Sequence, residues 1–148
     1  MTSIEAVALS IKRVQHRHHR AFTAELADLG VSLAQWDTLR HLDLHPDASL
    51  HDLAQLTFQT DQSFGTLAAR MVDRGLIERV PGPGRAIRHR LTAKGEQIRA
   101  EGARRVRATQ RRSLEGLSPA QIDTLGELLD LILTTPLEHT AAPTRSDK

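Results

Sequence analysis

Gln62, Ser63, Thr66 and Arg70 recur at helical spacing as one polar face of a segment whose other face is Phe64, Leu67, Ala68 and Met71. Their chemistry is that of hydrogen-bond readout. A glutamine amide matches adenine N6 and N7, an arginine fork matches guanine O6 and N7, and a threonine methyl suits a thymine methyl. Gly65 between them leaves room for close approach of a sugar-phosphate wall. Downstream, the turn Pro81-Gly82-Pro83-Gly84 leads to Arg85, and Ile87-Arg88-His89-Arg90-Leu91 alternates with a period of two. Arg88 and Arg90 thus share one strand face, where either is read as a contact to backbone phosphates or as a solvated charge. The competing account is an ordinary solvated polar surface, and the distribution of charge bears on the choice.

The chain of 148 residues has a formal charge of only +2, but that total hides a division. Residues 49–113 hold 13 Lys and Arg against 6 Asp and Glu, whereas the remainder holds 7 against 12. Positive potential thus coincides with the hydrogen-bonding face and the hairpin, which favours a polyanionic partner. Cysteine is absent, excluding disulfides, thiolate redox sensing and cysteine-ligated zinc. No apolar run approaches the roughly 20 residues of a membrane span, and Met1-Thr2-Ser3-Ile4-Glu5 lacks the order of a secretion signal. The expectation is a cytoplasmic protein with no membrane partner. Aromatics are only 3% of the chain, so its core must be built from aliphatic side chains on helices.

The elements that must position the polar face follow from pattern and punctuation. Ile4, Val7, Ile11, Val14, His18, Phe22 and Leu26 predict a first amphipathic helix closed by Gly30. Ser32 with Gln35 forms a capping box before Leu33, Trp36, Leu39 and Leu42, and Pro46 ends that second helix. Ser49 caps a short third helix with Leu50, Leu53, Ala54 and Leu56 turned inward. Thr60 is the N-cap of the fourth, which carries the polar face, and Gly75 is its left-handed C-cap. Strands over 76–80 and 87–91 then form a hairpin. A long helix from Thr92 to Leu114 has a thin apolar seam at Ile98, Gly102, Val106 and Thr109, suited to partial exposure or to packing on a partner. Ser118-Pro119-Ala120-Gln121 opens a last helix with Leu125, Leu128, Leu129 and Ile132.

Two further groups have chemistry of their own. The six arginines between Arg99 and Arg112 are expected mostly to pair with acids such as Asp123, Glu127 and Asp130 of the last helix or to remain solvated, with a minority open to an anionic ligand, rather than to read DNA. His41 and His45 are four apart, and His18 or His51 could complete a metal site, but the pattern is weak and the expectation is no metal and no cofactor. His18 falls on the buried phase of its helix; it is read either as hydrogen-bonded core or, with Trp36, as the polar group of a ligand pocket. Asp61, in the first turn of the fourth helix, complements the positive helix end, with reading of cytosine N4 a secondary role.

The order of these elements, with Leu33-Ala34-Gln35-Trp36, Asp52-Leu53-Ala54, Arg74-Gly75-Leu76-Ile77 and Leu91-Thr92-Ala93-Lys94-Gly95, resembles the MarR family of bacterial transcriptional regulators. The motifs cover about residues 33–95 and the helix order nearly the whole chain. The resemblance implies a mostly α fold with a small β-hairpin wing, a winged helix-turn-helix flanked by dimerisation helices. It implies one unit over residues 1–140, with the reader at 33–95, dimerisation helices at 1–30 and 96–135, and a flexible tail at 139–148. It further implies a homodimer on a palindromic site in double-stranded DNA, acting as a repressor that answers to a small organic anion or phenolic effector. The family's wing commonly has Asp-Arg-Arg where this chain has Pro83-Gly84-Arg85, so Arg85 keeps the minor-groove arginine of the family without its acidic brace.

The DNA-contacting set expected is therefore Gln62, Ser63, Thr66, Arg70, Arg85 and Arg88, with His18 and Trp36 as effector-pocket residues. An enzyme is not expected, because no nucleophile motif, phosphate loop or paired catalytic group is present. The alternatives are a winged helix used for protein interaction and a histidine-metal-dependent sensor.

Overall fold

The computed structural model describes residues 1–84 and 86–137; Arg85 and residues 138–148, which include the expected tail, lie outside the described residues. The elements are α1 (Ile4–Ala27), α2 (Leu33–Leu44), α3 (Leu50–Leu56), α4 (Asp61–Asp73), β1 (Ile77–Pro81), β2 (Ile87–Leu91), α5 (Ala93–Leu114) and α6 (Pro119–Thr134). The fold is mostly helical, with one two-stranded antiparallel sheet. The chain divides into two compact units, Met1–Arg111 and Arg112–Lys148, with the division falling inside α5.

Local chemistry sets most helix starts. Ser32 and Gln35 bond reciprocally at the head of α2, as Ser118 and Gln121 do at α6. Ser49 also forms a full capping box, with Asp52 in the third position. Each such box satisfies two backbone donors that a helix start leaves open. Gly30 and Gly75 have φ of +71° and +70°, the left-handed geometry that lets each chain reversal follow its helix directly. Phe58, in the α3–α4 turn, is the non-glycine residue with positive φ among the described residues.

The core of the first unit gathers Leu26 of α1, Trp36, Leu39 and Leu42 of α2, Leu53 and Ala54 of α3, and Phe64, Ala68 and Met71 of α4. Leu76, Ile77 and Val106 complete it from the wing and α5. Leu50, expected inside, is exposed, because the short α3 turns only Leu53 and Ala54 fully inward. In α1 only Leu26 is buried, while Ile4, Val7, Ile11 and Val14 face solvent in the single chain. In the second unit, α6 has no buried residue, and Leu125, Leu128, Leu129 and Ile132 are exposed. These apolar faces are larger than ordinary solvated helices leave open.

Close approach of α5 to its neighbours fixes the reader. The seam read from the sequence is present, with Gly95, Gly102, Val106 and Thr109 buried and Ile98 half-buried. The space beside Gly102 is filled by the Trp36 indole, and that beside Gly95 by the backbone carbonyl of Leu76. Trp36 Nε1 donates to the Arg99 carbonyl at 3.1 Å, so the buried ring leaves no donor unmet. Thr92 ties the same junction: its Oγ1 donates to Gly75 O at 2.6 Å and accepts from Gly95 N at 3.0 Å. Beside the same junction, Arg74 Nη2 donates to Gly30 O at 2.5 Å and Nη1 to Gln35 Oε1 at 3.1 Å.

An exposed helical Gly→Ala change ordinarily gains up to about 1 kcal/mol. Gly95→Ala is expected to do the reverse, lowering unfolding free energy by about 1–3 kcal/mol through overpacking against a backbone that cannot swing aside. Urea unfolding of the variant measures the sign, and a gain in stability would contradict so close an approach.

Candidate nucleic-acid interface

Helix α4 presents its polar face because its apolar face is fully engaged. Phe64, Ala68 and Met71 are buried, which turns Gln62, Ser63, Thr66 and Arg70 outward, all exposed or half-exposed. Thr60 Oγ1 accepts from Ser63 N at 3.1 Å and starts the helix one residue before Asp61. Gln59, Thr60, Gln62, Ser63, Thr66, Leu67 and Arg70 line one shallow groove of about 410 Å³. The sequence-predicted readers are thus brought together. Thr66 Oγ1 donates to Gln62 O at 3.2 Å, committing its proton to the helix and leaving the methyl group outward. No atom stands within 4 Å of where a Gly65 side chain would begin, so this part of the surface is open.

The hairpin is present, with β2 as expected and β1 displaced by one residue from its sequence pattern, starting at Ile77 and ending at Pro81, which pairs with Ile87. Pro81 fits there because it ends the strand, where a missing donor is tolerated. The turn is closed by Gly82 N donating to Ala86 O at 2.8 Å, and Gly84 has φ of +62°. Arg90 and Arg88 share a strand face but not a role. Arg90 Nε donates to Glu78 Oε1 at 2.5 Å across the strand pair, whereas the half-buried Arg88 side chain makes no such close contact among the described residues and acts on Asp52 of α3 through its charge alone. Arg88 is thus the less committed cation of β2. Arg85, the expected minor-groove residue, lies outside the described residues.

One pairing at this surface has no signal in the sequence. His51 of α3 and Asp61 of α4 meet, with Nδ1 at 2.9 and 3.0 Å from the two carboxylate oxygens. A separation of ten residues across a turn gives no periodic pattern for such a pair.

Three of the α5 arginines have acidic partners within the first unit. Arg99 bonds Glu96 at 2.6 Å and lies 3.5 Å from Asp43 of α2. Arg104 and Arg105 both hold Glu101, and Arg105 also reaches Asp28 and the Glu25 carbonyl beside α1. Hydrogen bonds from Arg104, then Arg105, bring the Glu101 carboxyl down to about 2. These three arginines are thus engaged within the first unit, where i, i+3 and i, i+4 spacing on one helix supplies the nearest acids.

His18 stacks on Phe22 at a centroid separation of 5.4 Å, and Trp36 is closed in by Gly102, with 6% of its surface exposed. His41 and His45 stack at 6.1 Å. Among the described residues no group of three or more His, Asp or Glu is arranged to hold a metal ion. No helix among them is long and apolar enough to cross a membrane.

Comparison with known proteins bears on this arrangement. Residues 29–86 match the sequence profile of the MarR family. The repressor Rv2887 of Mycobacterium tuberculosis, described as an HTH-type transcriptional repressor, is 31% identical over 101 residues, covering 67% of this chain and 73% of the relative. The chain belongs to the MarR family. Among solved structures, a MarR mutant from E. coli complexed with operator DNA superposes with a TM-score of 0.77 at 22% identity, covering 86% of this chain and 93% of that one. Rv2887 in complex with salicylic acid gives 0.69 at 25% identity, covering 89% and 97%. As a MarR-family member this chain is a DNA-binding transcriptional regulator and not an enzyme.

The reader of this MarR protein contains two buried imidazoles. Burial pushes His89 of β2 below its ordinary value, and Arg79 across the strand adds to the effect. Burial also pushes His41 of α2 down, opposed by Asp37 and assisted by Arg40 and His45. Both bind protons more weakly folded than unfolded, so their contribution to stability is complete above about pH 6.5 and is lost as pH falls through the depressed folded values. Unfolding free energy is expected to fall on acidification below that point, by at most about 1.4 kcal/mol per pH unit for each histidine. His89→Gln should flatten the slope in urea titrations; a wild-type stability that rises on acidification would contradict the assignment.

Proposed function

We propose that this MarR-family chain is a repressor that binds a palindromic operator in double-stranded DNA as a homodimer in the cytoplasm. The observation that carries the reading is the solvent-facing row of Gln62, Ser63, Thr66 and Arg70 on α4, beside a wing whose Arg88 side chain is held by no hydrogen bond or close ion pair among the described residues. A helix of this kind enters the major groove, while wing cations meet the flanking backbone. Arg85, close to Arg88 in the sequence of the hairpin, is assigned the minor-groove role.

The homodimer reading is supported by the apolar residues of α1 and α6 that face solvent in the single chain, Val7, Ile11 and Val14 on one and Leu125, Leu129 and Ile132 on the other. A second copy would cover them, and twofold symmetry would set two readers on inverted half-sites. A small organic anion or phenolic compound is the proposed effector, supported by the salicylic acid complex of the related Rv2887. His18 and Trp36 are the residues assigned to its site. Such a ligand releases DNA only by preferring a dimer geometry other than the bound one.

Arg88→Ala and Arg85→Ala should each weaken binding to duplex DNA and lower the slope of log affinity against log salt by about 1 for every phosphate no longer neutralised. Fluorescence anisotropy across a salt series measures this, and unchanged slopes would reject both roles. Leu129→Glu is expected to shift the protein from dimer to monomer by sedimentation; an undisturbed dimer would exclude that face of α6 as the interface.

A further inference from the structure

Thr60 already supplies the cap of α4, so Asp61 is not needed for that purpose. Its carboxylate is instead pinned from outside the helix. His51 Nδ1 stands 2.9 Å from one oxygen and 3.0 Å from the other, with 61% of the histidine side chain and 69% of the aspartate side chain exposed. A carboxylate only accepts, so Nδ1 carries the proton and donates to both oxygens, leaving further lone pairs of each oxygen open. So exposed a pair adds little to stability. What it does achieve is orientation: a short carboxylate held by both oxygens has its plane fixed at the N-terminal end of the helix, directly before Gln62 and Ser63.

The N-terminal residues of a recognition helix are the ones that meet base edges. A bare carboxylate there repels phosphates, and the imidazole beside it supplies a donor to it. The neighbouring acid on α3 is otherwise engaged, since Asp52 accepts from Ser49 N at 2.8 Å in the α3 capping box. Major-groove donors are limited to the amino groups of cytosine and adenine. Adenine sets the acceptor N7 beside its amino group, which a carboxylate opposes, whereas cytosine offers a donor alone.

We infer that Asp61 is a specificity-determining residue that accepts a hydrogen bond from a cytosine amino group in each half-site, and that His51 is its positioning residue. The inference rests on the reading of α4 as the major-groove helix.

The test uses the full chain and a duplex that the wild-type protein has selected from random DNA, with each base pair of a half-site changed in turn and binding followed by anisotropy. Wild type should lose about tenfold or more when one particular C·G pair is replaced. In Asp61→Asn that penalty should vanish or pass to a preference for adenine, which an asparagine amide matches, while penalties at other pairs stay unchanged. His51→Ala should reduce the penalty at the same pair alone, and His51→Gln, which retains an N–H donor, should restore part of it. An even change of affinity at all base pairs in the Asp61 and His51 variants would overturn the inference. Thr66→Ser, which removes the outward methyl and keeps the hydroxyl, and Arg70→Ala separate the two levels. If they move penalties at their own pairs while Asp61→Asn moves none, Asp61 alone is rejected; if no variant moves any penalty, the reading of α4 falls with it.

Discussion

The approach of α5 to the Gly75-Leu76 backbone, made at Gly95, is the constraint on which the reader's geometry depends. Four elements converge there: the end of α4, the start of β1, the end of β2 and the start of α5. Thr92 joins them by donating to Gly75 O, while its own backbone N–H bonds Leu76 O at 3.2 Å. A helix that began one methyl group further away would leave α4 and the wing without a common reference. Gly102 repeats the device one level up, giving its missing side-chain volume to Trp36. Interiors packed to crystal-like density transmit such constraints, because no slack exists to absorb them.

Charge is divided along the same lines as packing. Arg99, Arg104 and Arg105, within the arginine-rich run, are consumed by Glu96, Glu101, Asp43 and Asp28. Arg74 is engaged at the α1–α2 turn, and Arg90 at Glu78. Density of basic residues in the sequence is therefore a poor guide to where positive potential is available. Arg70 on α4 and Arg88 on β2 lie at the edges of this network, beside the exposed amide and hydroxyl groups. The segregation of charge between residues 49–113 and the remainder gives the region its sign. Local acids then decide which cations are left to act.

Signals confined to a few consecutive residues are legible in the sequence. The capping boxes at Ser32 and Ser118, the left-handed Gly30 and Gly75, the period-two strand at Ile87–Leu91 and the α5 seam each arise from backbone geometry within one or two turns. The polar face of α4 is legible for the same reason, since burial of Phe64, Ala68 and Met71 dictates what lies opposite. Pairings made by the fold itself are not. The Trp36 bond to Arg99 spans 63 positions and the Arg74 bond to Gly30 spans 44, and neither has a period to betray it. The His51–Asp61 pair belongs to this second kind, since neither residue type nor spacing points from one to the other.

Sequence-dependent reading of duplex DNA by two copies of α4 is the central claim, and selection from a pool of random duplexes by the full-length protein tests it most directly. The expected result is enrichment of an inverted repeat whose half-site centres lie about 10–10.5 base pairs apart or a multiple of that spacing. Recovery of duplexes with no common sequence, or of a single unrepeated half-site, would contradict it.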